Sequence, residues 1–500
     1  MNQAKIVLAP LDERPCNYNF PQFLYQGTNI QLVLPDKLGQ KKRPADVTEV
    51  ADFLKKECKD AGYAIIAIDT LLYGGLIPSR LHHRKEEDVQ KQLQLLRDLK
   101  KENPNLKIMA FQCIMRCPRY SSADEEPDYY GICGAQIHQL GVLQQKEELG
   151  IACEYDKQSL LKEIPEEALT DYLDRRKFNL DFNLRTLEYV KEGIIDFLII
   201  PQDDSAPYGY TAKDQITVRK RMRDLKIENS VLLYPGADEI ELTLLSRVVN
   251  ELQQKTPKVY LKYASVKAPC VVPLYEDRPL GETVKYHLMA AGCHIVASEE
   301  EADFILALNT PGDHMQEAKE QPAATREYDV ERTLPEFIES LAYYVKQGIP
   351  VAVADNAYAN GGELDLLAGI EERGLLLSLA GYAGWNTSSN TIGTAIAQGV
   401  KYLYCGDDKA HRNFLMLRYL EDVGYCSVVR KKVTEERLPQ LQMDYFDVKD
   451  TEGIVSKVVK EELENFKEDY LQSCSNHIHI EKVTMPWKRM FEVEIKVSYR

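Results

Sequence analysis

Two adjacent carboxylates, Asp203 and Asp204, are the residues of this sequence best suited to carry out chemistry. They follow a short apolar run at 197–200 that is typical of a buried strand, and Pro201 is expected to end strand pairing because it has no N–H to donate. Acidic residues at the carboxyl end of a buried strand lie where α/β folds place their active sites. A helix N-cap would explain one aspartate, but not the pair together with the aromatic Tyr208. We therefore predict a catalytic role for both.

Polar and charged side chains also follow the other predicted strands. Since the carboxyl ends of parallel strands meet on one face, we expect these loops to converge around the substrate. Asp, Asn, Gly and Ser are ordinary turn residues too, and helix capping explains Asp238 and Glu239 about equally well. The predicted substrate-binding residues are Asp12, Glu13, Arg14, Asn17, Asp69, Tyr73, Arg80, Arg116, Tyr208, Asp238, Glu239, Asp355, Asn356, Asn360, Trp385, Asn386 and Asn390.

Short apolar strands alternate with amphipathic helices from residue 5 to about residue 265, as in parallel α/β proteins. Their number favours a (β/α) barrel-like catalytic domain over residues 1–265, with an open doubly wound sheet as the alternative. The predicted strands lie at residues 6–9, 30–34, 64–68, 108–112, 197–200, 231–234 and 259–263.

The strand–helix rhythm restarts near residue 268 and predicts a second, smaller domain over residues 266–430. Its pattern is typical of a flavodoxin-like or Rossmann-like α/β fold, with a helix expected at 410–423. No G-x-G-x-x-G follows any predicted strand, so no dinucleotide is indicated and no cofactor is expected. Residues 431–500 predict an α+β appendage that packs on the other domains or forms a homo-oligomer contact. The stretches LDERP (11–15) and YEDRP (275–279) are similar in sequence.

Composition limits the classes of function. The chain has 500 residues, 44% of them hydrophobic, and a formal net charge of −16, which argues against nucleic-acid and anionic-membrane partners. Eleven scattered cysteines show neither zinc-site nor disulfide-framework spacing, so reduced thiols and no metal are expected. We find no secretory signal pattern and no apolar run near the roughly 20 residues that span a bilayer. A cytoplasmic protein is therefore expected.

Carbohydrate is the predicted substrate. Trp385, Tyr208 and Tyr382 could stack on sugar rings, and the asparagines could contact hydroxyl groups. Glycoside hydrolysis needs a protonated acid and a second group that stabilises charge, and adjacent carboxylates push each other's pKa values apart. Neighbouring residues rarely hold two carboxyl groups at the spacing of a retaining nucleophile pair. They suit substrate-assisted catalysis, in which the N-acetyl oxygen of the sugar attacks.

Two resemblances accompany these predictions. The Asp203–Asp204 loop resembles the catalytic loop of retaining N-acetyl-β-hexosaminidases of the O-GlcNAcase and hyaluronidase type, which implies that Asp203 polarises the acetamido group and that Asp204 is the acid/base. The whole chain resembles an uncharacterised bacterial family that carries a domain-of-unknown-function label and implies no activity. The matching stretches are PLDERPCN, DTLLYGGLIPSR, QDDSAPYG, GADE and GWNTSSNTIGTA.

Two other classes of function remain open. A divalent-metal-dependent hydrolase would use aspartate oxygens as ligands. A non-catalytic two-domain sugar-binding protein would need no carboxylate pair. The aspartates of the metal alternative are Asp12, Asp69, Asp203, Asp204 and Asp238.

Four arginines follow strand ends: Arg14, Arg80, Arg116 and Arg119. Guanidinium groups bind carboxylate or phosphate through paired hydrogen bonds. Internal ion pairs with Asp12, Glu13 or Asp69 are slightly favoured. If one arginine has no such partner, the substrate is expected to carry an acid group, as a uronic or lactyl sugar does.

Overall fold

The computed structural model describes residues 4–500, which divide into two compact units. The first comprises residues 4–13, 29–241 and 275–277, and the second comprises residues 14–28, 242–274 and 278–500. Each unit is built on a sheet of parallel strands with helices in the connections, so the predicted α/β class is confirmed.

Six parallel strands form the sheet of the first unit, in the order β2-β1-β3-β4-β5-β6. With β2 and β6 at its edges the sheet is open, so the predicted barrel is wrong. A barrel closes only when the two edge strands pair. The predicted seventh strand, at 259–263, lies in the sheet of the second unit instead. The strands are β1 (Ala4–Ala9), β2 (Ile30–Val33), β3 (Tyr63–Ala67), β4 (Lys107–Phe111), β5 (Phe197–Gln202) and β6 (Val231–Pro235).

Helices connect these strands and cover the sheet. Alternate strand residues, such as Val7, Ile66 and Leu198, point to one face and pack there with Leu54 and Val218 from the helices. The helices of the first unit are α2 (Val47–Glu57), α3 (Ile68–Tyr73), α4 (Leu76–Ser79), α5 (Glu86–Glu102), α6 (Tyr130–Glu148), α7 (Lys157–Glu163), α8 (Glu166–Lys191) and α9 (Tyr210–Leu225). Helix α1 (Pro15–Leu24) and nearly all of α10 (Ile240–Leu252) belong to the second unit.

The main sheet of the second unit is parallel, with the order β13-β11-β9-β7-β8. Counted along its own chain, this order is 2-1-3-4-5, the order of flavodoxin-like folds, and the first sheet starts with the same 2-1-3-4-5 pattern. The strands are β7 (Lys258–Tyr263), β8 (His294–Ile295), β9 (Phe304–Asn309), β10 (Gln316–Glu317), β11 (Val351–Asp355), β12 (Tyr358–Ala359) and β13 (Gly381–Ala383), with β10 and β12 paired separately.

The remaining helices of the second unit include an uncommon form. The ordinary helix predicted at 410–423 is α-helical only in its first part, and continues as π-helix over Tyr419–Val429 and again over Val433–Arg437. An antiparallel pair, β14 (Ile478–Thr484) and β15 (Glu494–Tyr499), ends the chain. The helices are α11 (Leu280–Ala290), α12 (Arg326–Asp329), α13 (Leu334–Lys346), α14 (Leu364–Glu372), α15 (Ser388–Cys405), α16 (Lys409–Arg418), α17 (Arg430–Lys432) and α18 (Ile454–Tyr470).

Strand β5 does not end at Pro201, contrary to the prediction from sequence. Pro201 lies opposite Tyr234 of β6, and the strand continues to Gln202. The Pro201 carbonyl accepts a hydrogen bond from the Ile114 N–H at 3.1 Å. Proline lacks only the donor, so it can stay in a strand where its carbonyl alone is used. The strand therefore carries the two aspartates directly at its end.

Gly74 ends helix α3 in a left-handed conformation with φ of 87°, and we predict that it tolerates no side chain. A Cβ at this position would lie 2.6 Å from the Ala45 carbonyl oxygen. Gly193 also has positive φ, at 73°, but has open space around it. Both Ala variants lose the left-handed freedom of glycine. We expect Gly74→Ala to cost about 1–3 kcal/mol more than Gly193→Ala, because only Gly74→Ala forces a backbone contact.

Urea denaturation of the two variants measures this difference. Equal losses of stability would contradict the close approach of α3 to residue 45.

Candidate functional site

Asp203 and Asp204 lie in the loop directly after β5, with most of each side chain buried. Asp204 has φ of 46°, a left-handed conformation that residues with a Cβ rarely adopt. Such backbone strain recurs at functional sites. Tyr275, whose carbonyl oxygen is 3.5 Å from the Ser205 Oγ, has a positive φ of 67° as well. Asp204 in this loop and Tyr275 beside it therefore both have a strained backbone conformation.

Two buried arginines bind the aspartate pair. Arg80, which follows α4, donates from Nη2 to Asp203 Oδ2 at 2.6 Å. The Nη1 of Arg116 lies 3.2 Å from the same oxygen and 3.1 Å from Asp204 Oδ2. The side chains of Arg80 and Arg116 are only 2% and 8% exposed, so these contacts form largely out of water. Charge-assisted bonds of this kind are stronger than neutral ones.

Two further carboxylates, Glu125 and Glu126, complete the network, and sequence reasoning missed them. Arg116 binds Glu126 Oε1 through Nε at 2.7 Å and Glu125 Oε2 through Nη2 at 2.9 Å. Arg80 Nη1 lies 3.2 Å from Glu125 Oε2 and 3.3 Å from Glu126 Oε1. The run ADEEPD was the only available signal, but it lies in an irregular segment away from any strand end.

The network joins four carboxylates to two guanidinium groups, and Asp204 lies close to the negative charges of Asp203 and Glu125. Burial and the adjacent Asp203 raise the pKa of Asp204 to about 7, although Arg116 opposes the shift. Asp203 forms ion pairs with both arginines through a single oxygen, Oδ2, whereas Asp204 forms one with Arg116 alone. The two neighbouring carboxyl groups therefore have different environments, and Asp204 can exchange a proton near neutral pH.

A second group of buried acids follows β1, β3 and β6. Asp69 is buried and accepts a hydrogen bond from the Cys113 N–H at 2.8 Å, and burial raises its pKa to about 7. Glu241, which the sequence did not indicate, accepts from the Leu11 N–H at 2.8 Å, and burial raises its pKa well above the usual range. These two acids support the backbone of the loops. The buried Asp12 lies in the same part of the unit.

Several other predicted residues of the first unit have structural contacts. Glu13 accepts from the Lys41 N–H at 2.7 Å, and Glu239 accepts from the Ala237 N–H at 3.0 Å, a bond within the turn before α10 and not the helix cap considered for it. Tyr73 is buried and stacks on His82 with ring centroids 4.3 Å apart, so it belongs to the interior. Asp238 is buried, whereas Tyr208 is partly exposed, with its ring 5.2 Å from Lys146 Nζ.

The remaining predicted substrate-binding residues belong to the second unit. Asp355 lies at the end of β11 and accepts hydrogen bonds from Asn309 Nδ2 at 2.8 Å and from the Tyr382 hydroxyl at 2.6 Å. Burial and the nearby Glu363 raise its pKa to about 6, and Glu363 itself binds Arg332 through both oxygens. All of these groups are almost completely buried. Their hydrogen bonds connect β9, β11 and β13 at this end of the sheet.

The predicted stacking residue Trp385 and the predicted hydroxyl-binding asparagines also pack inside the second unit. Trp385 lies edge-on to Phe20 with centroids 5.8 Å apart and is a core aromatic. Asn360 and Asn386 have φ of 63° and 52°, so they serve left-handed turns. Asn356 donates to the Ser388 carbonyl at 3.1 Å. Three further residues of the second unit that were predicted to bind substrate are also buried: Arg14, Asn17 and Asn390.

Within residues 4–500, no group of three or more His, Cys, Asp or Glu side chains has the arrangement to hold a metal ion. The five aspartates of the metal-dependent alternative therefore do not form such a group. In the same part of the chain, no helix is both long and apolar enough to cross a membrane.

The model of the family described as "Protein of unknown function (DUF4127)" matches residues 6–496, and the chain belongs to this family. The match agrees with the whole-chain resemblance found from sequence. No curated protein matches the chain, and nothing in the comparisons supports the local resemblance to hexosaminidases.

Replacing Arg116 by Gln should strongly destabilise the protein, because the carboxylates would lose a buried partner. Removing one member of a buried ion pair costs about 3–5 kcal/mol. The pKa of Asp204 would rise further, so the folded state would bind its proton more tightly and part of the loss should disappear as the pH falls from 7 to 5. Denaturant unfolding at both pH values measures the effect.

Arg185→Gln is the matched control. Arg185 pairs with Glu86 at the surface, and exposed ion pairs contribute about 0–1 kcal/mol. If Arg116→Gln costs no more than Arg185→Gln, the buried network does not stabilise this site.

Proposed function

We propose that this protein is a hydrolase in which Asp204 transfers a proton to or from the substrate, and that the bond it cleaves is glycosidic. The observation that carries the proposal is the unequal environment of two adjacent carboxyl groups: Asp203 is bound by two arginines, whereas Asp204 is bound by Arg116 alone and has a pKa of about 7. A general acid or base works best when its pKa is near the working pH. This is the arrangement that two-carboxylate catalysis needs.

In a substrate-assisted mechanism the two aspartates would divide the work. Both arginines contact Oδ2 of Asp203, which leaves Oδ1 as the oxygen to accept the N–H of an acetamido group. Asp204 would protonate the leaving oxygen and later take a proton from water. The Arg80 and Arg116 contacts would hold Asp203 in a fixed orientation through both steps. An N-acetylated sugar is accordingly the substrate that suits this site best.

Arg119 supports an acid group on that substrate. Arg80 and Arg116 form ion pairs, as favoured from sequence, though with other partners than expected. Arg119 is exposed and lies over the ring of Tyr275, with 5.5 Å from Cζ to the centroid, and no ion pair joins it to a carboxylate within residues 4–500. A cation on an aromatic platform next to the Asp204 loop suits a uronic or lactyl carboxylate.

A hydrolysis screen on aryl glycosides tests the proposal. The panel contains N-acetylglucosaminides, N-acetylgalactosaminides, muramic conjugates and uronides. Each muramic conjugate and uronide is also tested as its neutral amide. Every assay is run with and without EDTA. We expect turnover of an N-acetylated substrate that survives EDTA. Asp204→Asn should lower kcat by about 10²–10⁴-fold, because the proton transfer is lost. Arg119→Gln should remove the preference for the acid over the amide.

Asp224→Asn, an exposed aspartate on α9, is the control and should leave turnover unchanged. Activity that EDTA abolishes would point to metal-dependent hydrolysis instead. Wild-type protein that binds a sugar without turnover would favour the sugar-binding alternative. If none of the substrates in the panel is hydrolysed, the proposal is contradicted.

A further inference from the structure

A cavity of about 410 Å³ lies in the second unit, beside the segment that contains the two π-helical stretches. Its size is in the range of small-molecule pockets. The backbone bonds there are wider than in an α-helix: the Arg430 N–H bonds the Tyr425 carbonyl, five residues before it. π-helical geometry is rare and recurs at functional sites. The cavity beside this segment is therefore a candidate binding site.

Arg430 lines this cavity without a carboxylate partner. Its Nη1 donates to the Phe491 carbonyl at 3.0 Å, and its Nη2 donates to the Asn360 and Cys426 carbonyls at 2.6 and 3.1 Å. No ion pair involves Arg430 in the part of the chain that the structure describes. Carbonyl oxygens hold a guanidinium in place without neutralising it, and Glu317 acts on the Arg430 charge only from a distance, without an ion pair. An anionic ligand would supply the missing charge.

The other polar groups of the lining fit an anion. Lys431 lies next to Arg430, and within residues 4–500 its ammonium group donates only to the Lys319 carbonyl, at 2.9 Å. Thr434 lines the cavity, and its hydroxyl is buried with no hydrogen-bond partner in residues 4–500, although buried polar groups are almost always satisfied. With Lys319, the three cations outnumber the two carboxylates of the lining, Glu317 and Glu435.

Two aromatic residues, Tyr445 and Phe491, complete the lining. The Phe491 ring centroid lies 5.9 Å from Arg430 Cζ, so the charged and aromatic parts of the wall are adjacent. A ligand that offers negative charge at one end and a flat ring at the other would match both parts.

We propose that this cavity is a binding site for a small organic anion that carries an aromatic ring. The charged group of the ligand lies between Arg430 and Lys431 and accepts a hydrogen bond from the Thr434 hydroxyl. Its ring packs on Tyr445 and Phe491. The inference uses residues of the second unit only, so it does not depend on the proposed hydrolase activity.

Isothermal titration of the full-length protein with benzoate, phenyl phosphate and the neutral benzamide tests the site. We expect benzoate or phenyl phosphate to bind about tenfold or more tightly than benzamide, because only the anions neutralise Arg430. The two anions differ in head group, so their order of affinity identifies a carboxylate or a phosphate site.

Two conservative variants locate the binding. Thr434→Val keeps the shape of the side chain and should weaken the anion about threefold to tenfold, and Lys431→Gln should weaken it by a similar factor. Lys432→Gln is the control, since Lys432 binds Glu462 and does not line the cavity. Arg430 itself is left unchanged because its three carbonyl contacts support the fold.

Circular dichroism confirms that each variant is folded. Saturable, anion-selective binding that Lys431→Gln and Thr434→Val weaken and Lys432→Gln does not supports the site. Equal affinity for benzamide, equal effects of the two lysine variants, or no saturable binding of either anion at millimolar concentration would overturn it.

Discussion

The first unit depends on the neutralisation of buried carboxylates by Arg80 and Arg116. Each guanidinium binds several carboxylates at once, and the contacts join the segment after α4, the segment after β4 and the loop after β5. Taking charges out of water costs several kcal/mol per ion unless good partners replace the solvent. The network therefore holds together only as a whole. Burial and the adjacent Asp203 leave one carboxyl group of the network, that of Asp204, with a pKa near neutrality.

The sequence allowed part of this site to be predicted. Asp203 and Asp204 follow an apolar strand in the sequence, and Arg80 and Arg116 follow two others. All four were predicted as site residues because ligands of open α/β sheets bind at the carboxyl ends of the strands. Glu125 was missed because its segment has no periodic pattern that would link it to the sheet. Asparagines and Trp385 were predicted as ligand contacts from their side-chain chemistry alone, yet the structure uses them for turns and core packing. Residue type does not reveal burial.

The fold could be predicted as far as its class. Alternating strands and helices indicate parallel sheets, but the pattern does not say where one sheet ends and the next begins. The strand at 258–263 has the same apolar character as the strands before it, and it pairs with β8 and β9 of the second sheet. Both units share the order 2-1-3-4-5. LDERP precedes helix α1 after β1, and YEDRP precedes α11 after β7, so the two related motifs follow the first strand of each sheet.

Burial and the adjacent Asp203 together allow Asp204 to exchange a proton near neutral pH. Carboxyl-carbon NMR of protein labelled with ¹³C-aspartate measures this directly, and Asp204→Asn assigns the signal. We predict a midpoint near 7, and a lower one in Asp203→Asn because the neighbouring negative charge is removed. A midpoint near the ordinary value of 3.8, unchanged in Asp203→Asn, would contradict the account.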